Sequence, residues 1–429
     1  MQTDALTASE PSHHEGTGKC CRLCQTPLTK TFVDLGMSPL CESFLASDQT
    51  DRMEPYFPLH VLVCDKCFLV QLREYVNPES IFTEYAYFSS YSTSWVAHAK
   101  SYCHMIKARL GLGAESQVYE IASNDGYLLQ HFLPLSIPVT GIEPAANVAE
   151  VARAKGVPTL VEFFGMDLAS RLAGKGHHAD LIIGNNVLAQ VPDLNGFTAG
   201  MAHLLKPEGV ITIEVPHLTR LIDENQFDTI YHEHFSYFSL TTMDQLAHRH
   251  GLRVFDIEEL PTHGGSIRVY MCRQEAGHVT SPYVDKVRSE ELVMGFNTIE
   301  AYLKFAPKVH ATKRKLLSFL IDCKEQGKRV CGYGAPGKGN TLLNYCGIGV
   351  DFLDFTVDRN PYKHGRFTPG MHIPILPVSA IEDARPDYIL ILPWNLRDEI
   401  AAQLHYTSKW GCKLIVPIPE VYVIDPREA

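Results

Sequence analysis

The chain has no apolar run of about 18 residues, the length a membrane-spanning helix requires, so no membrane span is expected. Positive charge is in deficit: 38 Lys and Arg face 49 Asp and Glu, a formal net charge of −11. That balance argues against a broad nucleic-acid surface and against binding to anionic lipid. Residues 1–19 are polar and rich in His, Glu and Thr, without the apolar centre of an export signal. They read as a disordered tail. Twelve cysteines with no export signal point to a reducing compartment, where thiols serve as metal ligands more often than as disulfides. A cytoplasmic enzyme or binding protein is expected. At 429 residues the chain has room for two or three domains of ordinary size.

A dinucleotide loop is also missing where one might stand. The apolar run from Val118 ending in Glu120 reads as a buried parallel strand, and Ser123-Asn-Asp-Gly126 as a tight turn. Tyr127–Phe132 is expected to begin a helix. The turn holds one glycine, Gly126, and lacks the G-x-G-x-x-G that lets a backbone approach a pyrophosphate. Glu120 and Asp125 would repel a pyrophosphate but suit a cofactor with an amino-acid moiety and a sulfonium. A second strand, Val139–Ile142, ends at Glu143, where a carboxylate can accept the hydroxyls of a ribose. The arrangement resembles the first motif of a class I S-adenosylmethionine (SAM) methyltransferase. Cofactor candidates are Glu120, Ser123, Asn124, Asp125, Gly126 and Glu143. Phe164, after a strand at 158–162, is placed to cover an adenine or to pack in the core. Asn185 and Asn186, at the end of the strand starting at Ala179, should face both ligands.

Cys21-Arg-Leu-Cys24 and Cys64-Asp-Lys-Cys67 are two C-x-x-C pairs, and two such turns complete a tetrahedral zinc site. Four sulfur ligands leave no open position, so the metal should be structural. Cys20 is a spare thiol and Cys41 a substitute ligand.

The chemical centre is expected in Ile230-Tyr-His-Glu-His-Phe-Ser-Tyr-Phe-Ser239. A neutral histidine is the natural base near pH 7, and Tyr231 or Glu233 can orient it. On an extended segment His232 and His234 would share one face and Glu233 the other. Upstream, Tyr85, Tyr87 and Tyr91 lie in an aromatic stretch able to cover a sugar or to pack between domains. Downstream, Gly332-Tyr-Gly-Ala-Pro-Gly-Lys-Gly339 repeats the strand, glycine loop and helix theme. Its helix N-terminus with Lys338 would suit a diphosphate. The basic turn with Lys363 and Arg366 could reach phosphate, and Trp394 is a further substrate candidate.

The C-x-x-C pairs, the E-I-x-S-N-D-G loop, N-V-L-A-x-V-P-D, Y-x-E-H-F and His263-Gly-Gly-Ser-Ile-Arg268 stand in this order. Together they resemble the sugar C-methyltransferases, over residues from about 20 to the C-terminus. The resemblance implies methylation of a nucleotide-diphosphate keto-deoxysugar at C-3, beside a 4-keto group. It implies His234 as general base assisted by Glu233 and Tyr231, with Tyr85, Tyr87 and His263 at the sugar. The chain departs from the family at Gln190, where a histidine is usual; Gln can bond an oxyanion but cannot act as an acid. Ala122 replaces the usual glycine, which requires φ to stay negative.

The expected architecture is α/β. A zinc-binding unit (20–80) precedes a Rossmann-like class I SAM methyltransferase domain (81–275). A helical linker (276–325) then leads to a second Rossmann-like domain (326–429) for the nucleotide sugar. Cofactors would be SAM and structural Zn2+, in a monomer or a homodimer. The competing reading is an NAD-dependent nucleotide-sugar oxidoreductase or epimerase using the second glycine loop.

Overall fold

The structure, a computed structural model, describes residues 19–76 and 88–427. Seventeen strands form three sheets among the described residues. The central one holds β4 (Val118–Ile121), β5 (Val139–Ile142), β6 (Thr159–Leu160), β7 (Ala179–Asn185), β8 (Leu205–Pro216), β10 (Leu252–Leu260) and β11 (Ser266–Arg273). Its order is β10-β11-β8-β7-β4-β5-β6. β4 and β7 are buried almost throughout, as expected of parallel strands covered on both faces. β11 runs antiparallel between β8 and β10, the one reversed strand of this sheet. Chain order reverses between β4 and β7, which opens a crevice at their carboxyl ends, beside Ser123 and Asn185.

A four-stranded antiparallel sheet, β1 (Lys30–Ser38), β2 (Phe57–Val63), β3 (Val70–Leu72) and β9 (Ser236–Tyr237), carries the cysteine turns. Three of its strands are N-terminal. β9 comes from the stretch directly after His234, and its backbone pairs with β3. Phe32 of β1 stacks on Phe305 at 4.6 Å, joining this sheet to the core beneath the helix Phe305–Glu325.

The third sheet runs β14 (Ile375–Pro377), β13 (Thr356–Asp358), β12 (Val330–Tyr333), β15 (Tyr388–Ile391), β16 (Lys413–Val416) and β17 (Tyr422–Ile424), with β12 between β13 and β15. It has its own order reversal there. The helix Gly337–Cys346 follows β12 and ends at Gly347 in the left-handed region. No helix among the described residues is long and apolar enough to cross a membrane.

Two elements flanking β4 and β5 depart from expectation. Tyr127–Phe132 does not open an α-helix; the chain makes 3-10 turns at Leu129–His131 and Leu133–Leu135. Pro134 has no N–H to extend an α-helical ladder, and Leu128, Leu129 and Phe132 are buried in the shared core. The strand expected over 158–162 shortens to Thr159–Leu160 at the sheet edge.

Candidate active site

The turn after β4 contains three left-handed residues: Ala122 (φ 57°), Asn124 (φ 49°) and Gly126 (φ 74°). Ala122 therefore does not keep a negative φ. Its Cβ tolerates this at a cost of roughly 1–2 kcal/mol, and the turn sends the Ser123 amide back to the Ile142 carbonyl. Glu143 braces the crevice from β5, accepting the amides of Asn124 (3.0 Å) and Ala145 (2.9 Å). Gly141 is required here, because a Cβ would lie 2.4 Å from Ser123 Oγ. Asp125 pairs with Lys155 at 3.1 Å, and Lys155 also donates to Ser90 Oγ. The amide of Ser89 donates to Asn124 Oδ1, so the entry to the helix Thr93–Leu110 is tied to the same turn.

Six buried polar atoms in this crevice have no hydrogen-bond partner among the described residues: Glu120 Oε2, Ser123 Oγ, Asp125 Oδ1, Asn185 Oδ1 and Nδ2, and Asn186 Oδ1. Burial, with Glu143 and Asp125 nearby, holds the Glu120 carboxyl well above the usual range. The donor set is thus acidic and under-satisfied, and it fits a ligand that brings positive charge and hydroxyls. SAM has both. Phe164 is turned aside, packing edge-on against Phe197 at 5.3 Å, while neighbouring Phe163 is exposed. Asn186 (φ 55°) donates from Nδ2 to His263 Nε2 at 3.3 Å, so the end of β7 meets the His263 loop. His263 is itself left-handed (φ 56°) and lies edge-on to Trp95 at 5.3 Å.

The Tyr-His-Glu-His segment is a turn, not an extended strand: the His234 amide donates to the Tyr231 carbonyl at 2.9 Å. The two histidines consequently point to different places. His232 Nε2 donates to the Pro58 carbonyl at 3.3 Å and lies against Phe57, so it serves the junction with β2. His234 Nδ1 donates to the Thr229 carbonyl at 3.2 Å, and its ring lies 4.2 Å from that of Tyr231. That bond fixes the tautomer, leaving Nε2 with a lone pair and no hydrogen bond among the described residues. Burial, reinforced by His263 and Lys338, pushes His234 down to about 4, so it is neutral near pH 7. Glu233 is pushed up to about 7, by burial and then by Glu42. The amide of Phe235 donates to the Ala189 carbonyl at 2.7 Å, which sets the Gln190 turn beside His234.

The C-terminal sheet closes the third side. Lys338 Nζ donates to Asn395 Oδ1 at 2.9 Å and sits 4.9 Å from the centre of the Trp394 ring. The Trp394 indole donates to Asp228 Oδ2 at 2.8 Å. Lys363 donates to the Ala335 carbonyl at 2.8 Å and stands 3.7 Å from Glu42, and Arg366 reaches the Phe44 carbonyl at 3.4 Å. A Cβ on Gly337 would lie 2.9 Å from Cys41 Sγ and 3.0 Å from Glu42 Oε1, so the zinc unit covers the start of this helix. Cys41 is thereby placed in the cleft and outside the cysteine cluster. Tyr85 and Tyr87 lie outside the described residues.

The sulfur atoms of Cys21, Cys24, Cys64 and Cys67 lie within 4.8 Å of one another. Cys21–Cys67 measures 3.4 Å and Cys24–Cys64 3.5 Å. Four thiolates around Zn2+ at about 2.3 Å sit about 3.8 Å apart, so the cluster fits tetrahedral zinc closely. Gln71 Nε2 donates to Cys21 Sγ at 3.2 Å, orienting a ligand from β3.

Several residues at the site were not singled out from sequence. Asp228, Glu42, Lys155 and the Glu214–Arg268 ion pair (2.7 Å) line or brace it. Arg268 stood within a quoted motif, and Asp228 just upstream of another; proximity to those motifs was the available signal. Glu42 offered none, because it arrives from the zinc unit.

This fold and site define a class I SAM-dependent methyltransferase with an N-terminal zinc-binding unit. Residues 21–82 match the family model "Putative zinc binding domain", 95–257 "Methyltransferase domain", and 261–419 "C-methyltransferase C-terminal domain". The C-methyltransferase NovU of Streptomyces niveus is 36% identical over 405 residues, 94% of this chain and 96% of that protein. The chain belongs to the SAM-dependent C-methyltransferase family, with SAM and Zn2+ as its cofactors. The ubiquinone biosynthesis O-methyltransferase of Bartonella quintana is 28% identical over 104 residues, 24% of this chain and 42% of that protein. Among solved structures, the glycopeptide N-methyltransferase MtfA covers 41% of this chain and 96% of its own, at 14% identity and a TM-score of 0.33. Magnesium protoporphyrin IX methyltransferase from Synechocystis PCC 6803 covers 42% and 81%, at 14% identity and 0.31. The fold assignment rests on strand order, not on those two overlaps.

Proposed function

We propose that this C-methyltransferase acts on a nucleotide-diphosphate keto-deoxysugar, at C-3 beside a 4-keto group. The observation that carries the reading is the state of His234: Nδ1 is tied to Thr229, Nε2 has no hydrogen bond among the described residues, and the ring is neutral near pH 7. A carbon acceptor has no lone pair, so it must lose a proton before it can attack. A ketone makes the adjacent C–H acidic enough for a neutral imidazole.

Bound SAM supplies the electrophilic methyl group. Glu120, Ser123, Asn124, Asp125, Gly126, Glu143, Asn185 and Asn186 would hold it, while Phe164 packs on Phe197. His234 takes the proton, Tyr231 packs against its ring, and Glu233 stands beside it as a carboxyl that titrates near neutrality. Gln190 and His263 would contact the sugar, with Tyr85 and Tyr87 over it. Lys363 and Arg366 lie on the basic turn nearest the nucleotide side. Branched deoxysugar biosynthesis in the cytoplasm is the setting this implies. The units divide at 20–80, 81–275, 276–325 and 326–429, in a monomer or a homodimer. The oxidoreductase alternative loses support because Cys41 and Glu42 cover the start of the Gly337–Cys346 helix, where a dinucleotide's phosphates would sit.

The test is His234→Asn with dTDP-4-keto-6-deoxyglucose and related keto sugars. Turnover should fall to background while S-adenosylhomocysteine binding, by calorimetry, stays within a few-fold of wild type. Undiminished turnover would remove His234 as the base.

A further inference from the structure

We propose that Lys338 is a catalytic residue of the deprotonation step: its ammonium receives the oxyanion that forms as His234 removes the proton beside the ketone. The inference rests on the keto-sugar reading above.

A lysine at a helix N-terminus after a glycine loop is ordinarily assigned to a phosphate. Three features of this loop oppose that role. The helix start is covered by Cys41 and Glu42, and Glu42 places a carboxylate where a phosphate would go. The Ala335 amide is already committed to Asp358 Oδ2 at 2.7 Å. Lys363, on the adjoining turn, is the cation directed at this loop, through the Ala335 carbonyl.

Lys338 is held on the other side of the helix start, by the Trp394 ring and Asn395. Trp394 connects it to both histidines. Its indole N–H is bonded to Asp228, next to Thr229, whose carbonyl fixes His234 Nδ1. The tip of its ring lies 2.9 Å from where a Cβ on Gly264 would stand, next to His263. Lys338 is therefore wedged against the His234–His263 side of the cleft. In support, its charge is among the influences that hold both histidines low. One ammonium proton goes to Asn395, and two remain for a ligand.

The chemistry needs a cation there. As the C–H bond breaks, the proton passes to His234 Nε2 and its electron pair becomes the carbon–carbon double bond of the enolate. The carbonyl π pair moves onto oxygen. Charge on that oxygen grows from a dipole to an anion, so a nearby ammonium stabilises the transition state more than the bound ketone. A contact with a diphosphate would stabilise both equally and act on KM alone.

The experiment uses the full-length zinc-loaded protein with Lys338→Met, which retains an aliphatic contact with Trp394, and Lys338→Arg. The first readout is exchange of the substrate α-proton with D2O, using dTDP-4-keto-6-deoxyglucose and S-adenosylhomocysteine, so that no methyl transfer occurs. At saturating sugar nucleotide, Lys338→Met should exchange about 100-fold more slowly, or worse, with partial recovery in Lys338→Arg. Its affinity for dTDP should stay within about 3-fold, since the contact is made in the transition state. Weakened dTDP affinity with unchanged exchange at saturation would return Lys338 to the diphosphate and overturn the inference. The second readout needs no substrate: NMR titration of His234 and His263 should move upward in Lys338→Met. Unmoved titrations overturn the inference whatever the substrate is. Shifted titrations with no exchange in the wild type would instead overturn the keto-sugar reading, and the oxyanion role with it.

Discussion

The indole of Trp394, from the C-terminal sheet, donates its N–H to Asp228 at 2.8 Å, just ahead of the turn that holds His234. A residue remote in sequence thus sets the carboxylate on which the base's own loop is built. Burial pushes Asp228 up to about 6, and Lys338 and the indole bond act against that shift.

Trp394→Phe keeps an aromatic six-membered ring but removes the N–H donor together with the rest of the indole at a buried position. Leaving a buried carboxylate one partner short should cost about 1–3 kcal/mol of stability, read by urea denaturation. Turnover should drop with it, while S-adenosylhomocysteine affinity, set on the central sheet, should hold. An unchanged stability and turnover would show that the bond carries neither.

Glu233 gives a pH-dependent outcome whose sign is fixed. Its carboxyl is raised from 4.5 to about 7, so between those values the folded protein binds more protons than the unfolded chain. Its contribution to stability is complete below about 4.5 and is lost as pH rises through about 7. Glu233→Gln cannot ionise. It should therefore be more stable than wild type at pH 8, by up to about 3 kcal/mol, and show little advantage at pH 4.5. Denaturation at the two pH values checks this; an equal effect at both would mean that Glu233 is not held protonated by its surroundings.

Removing zinc should disable catalysis before it disturbs the cofactor site. The cysteine turns anchor β3, β3 pairs with β9, and β9 follows His234 directly. Chelation of the metal should lower the melting temperature and abolish turnover. S-adenosylhomocysteine should still bind, because its crevice belongs to the central sheet. Retained turnover in protein shown by metal analysis to be zinc-free would sink the link from metal to base.

The class of fold was legible because its signals are local. Val118–Ile121 and Ala179–Asn185 are short, mostly apolar runs that lead into small polar residues, the pattern of strands buried on both faces of a parallel sheet. The four cysteines were legible because ligand spacing within each pair fixes a turn, and thiolates have few other uses in such pairs. Backbone detail was not. Ala122 takes a left-handed φ because the Ser123 amide must return to Ile142, a demand made by β5 and invisible within the turn itself. His232 and His234 part company because the Tyr231 carbonyl captures the His234 amide, and alternation along a strand does not apply to a turn.

By itself the sequence determined the α/β plan, the sulfur ligands of the metal and the acidic character of the first crevice. These follow from short-range rules: periodicity, ligand chemistry and charge. Tertiary structure alone decided which side chains share the cleft. Glu42 comes from the zinc unit, His234 and Asp228 from the segment before β9, and Lys338 and Trp394 from the last sheet. Their mutual electrostatics depend on distances and burial that no linear spacing encodes, since charge interactions strengthen only where folding brings groups together and excludes water.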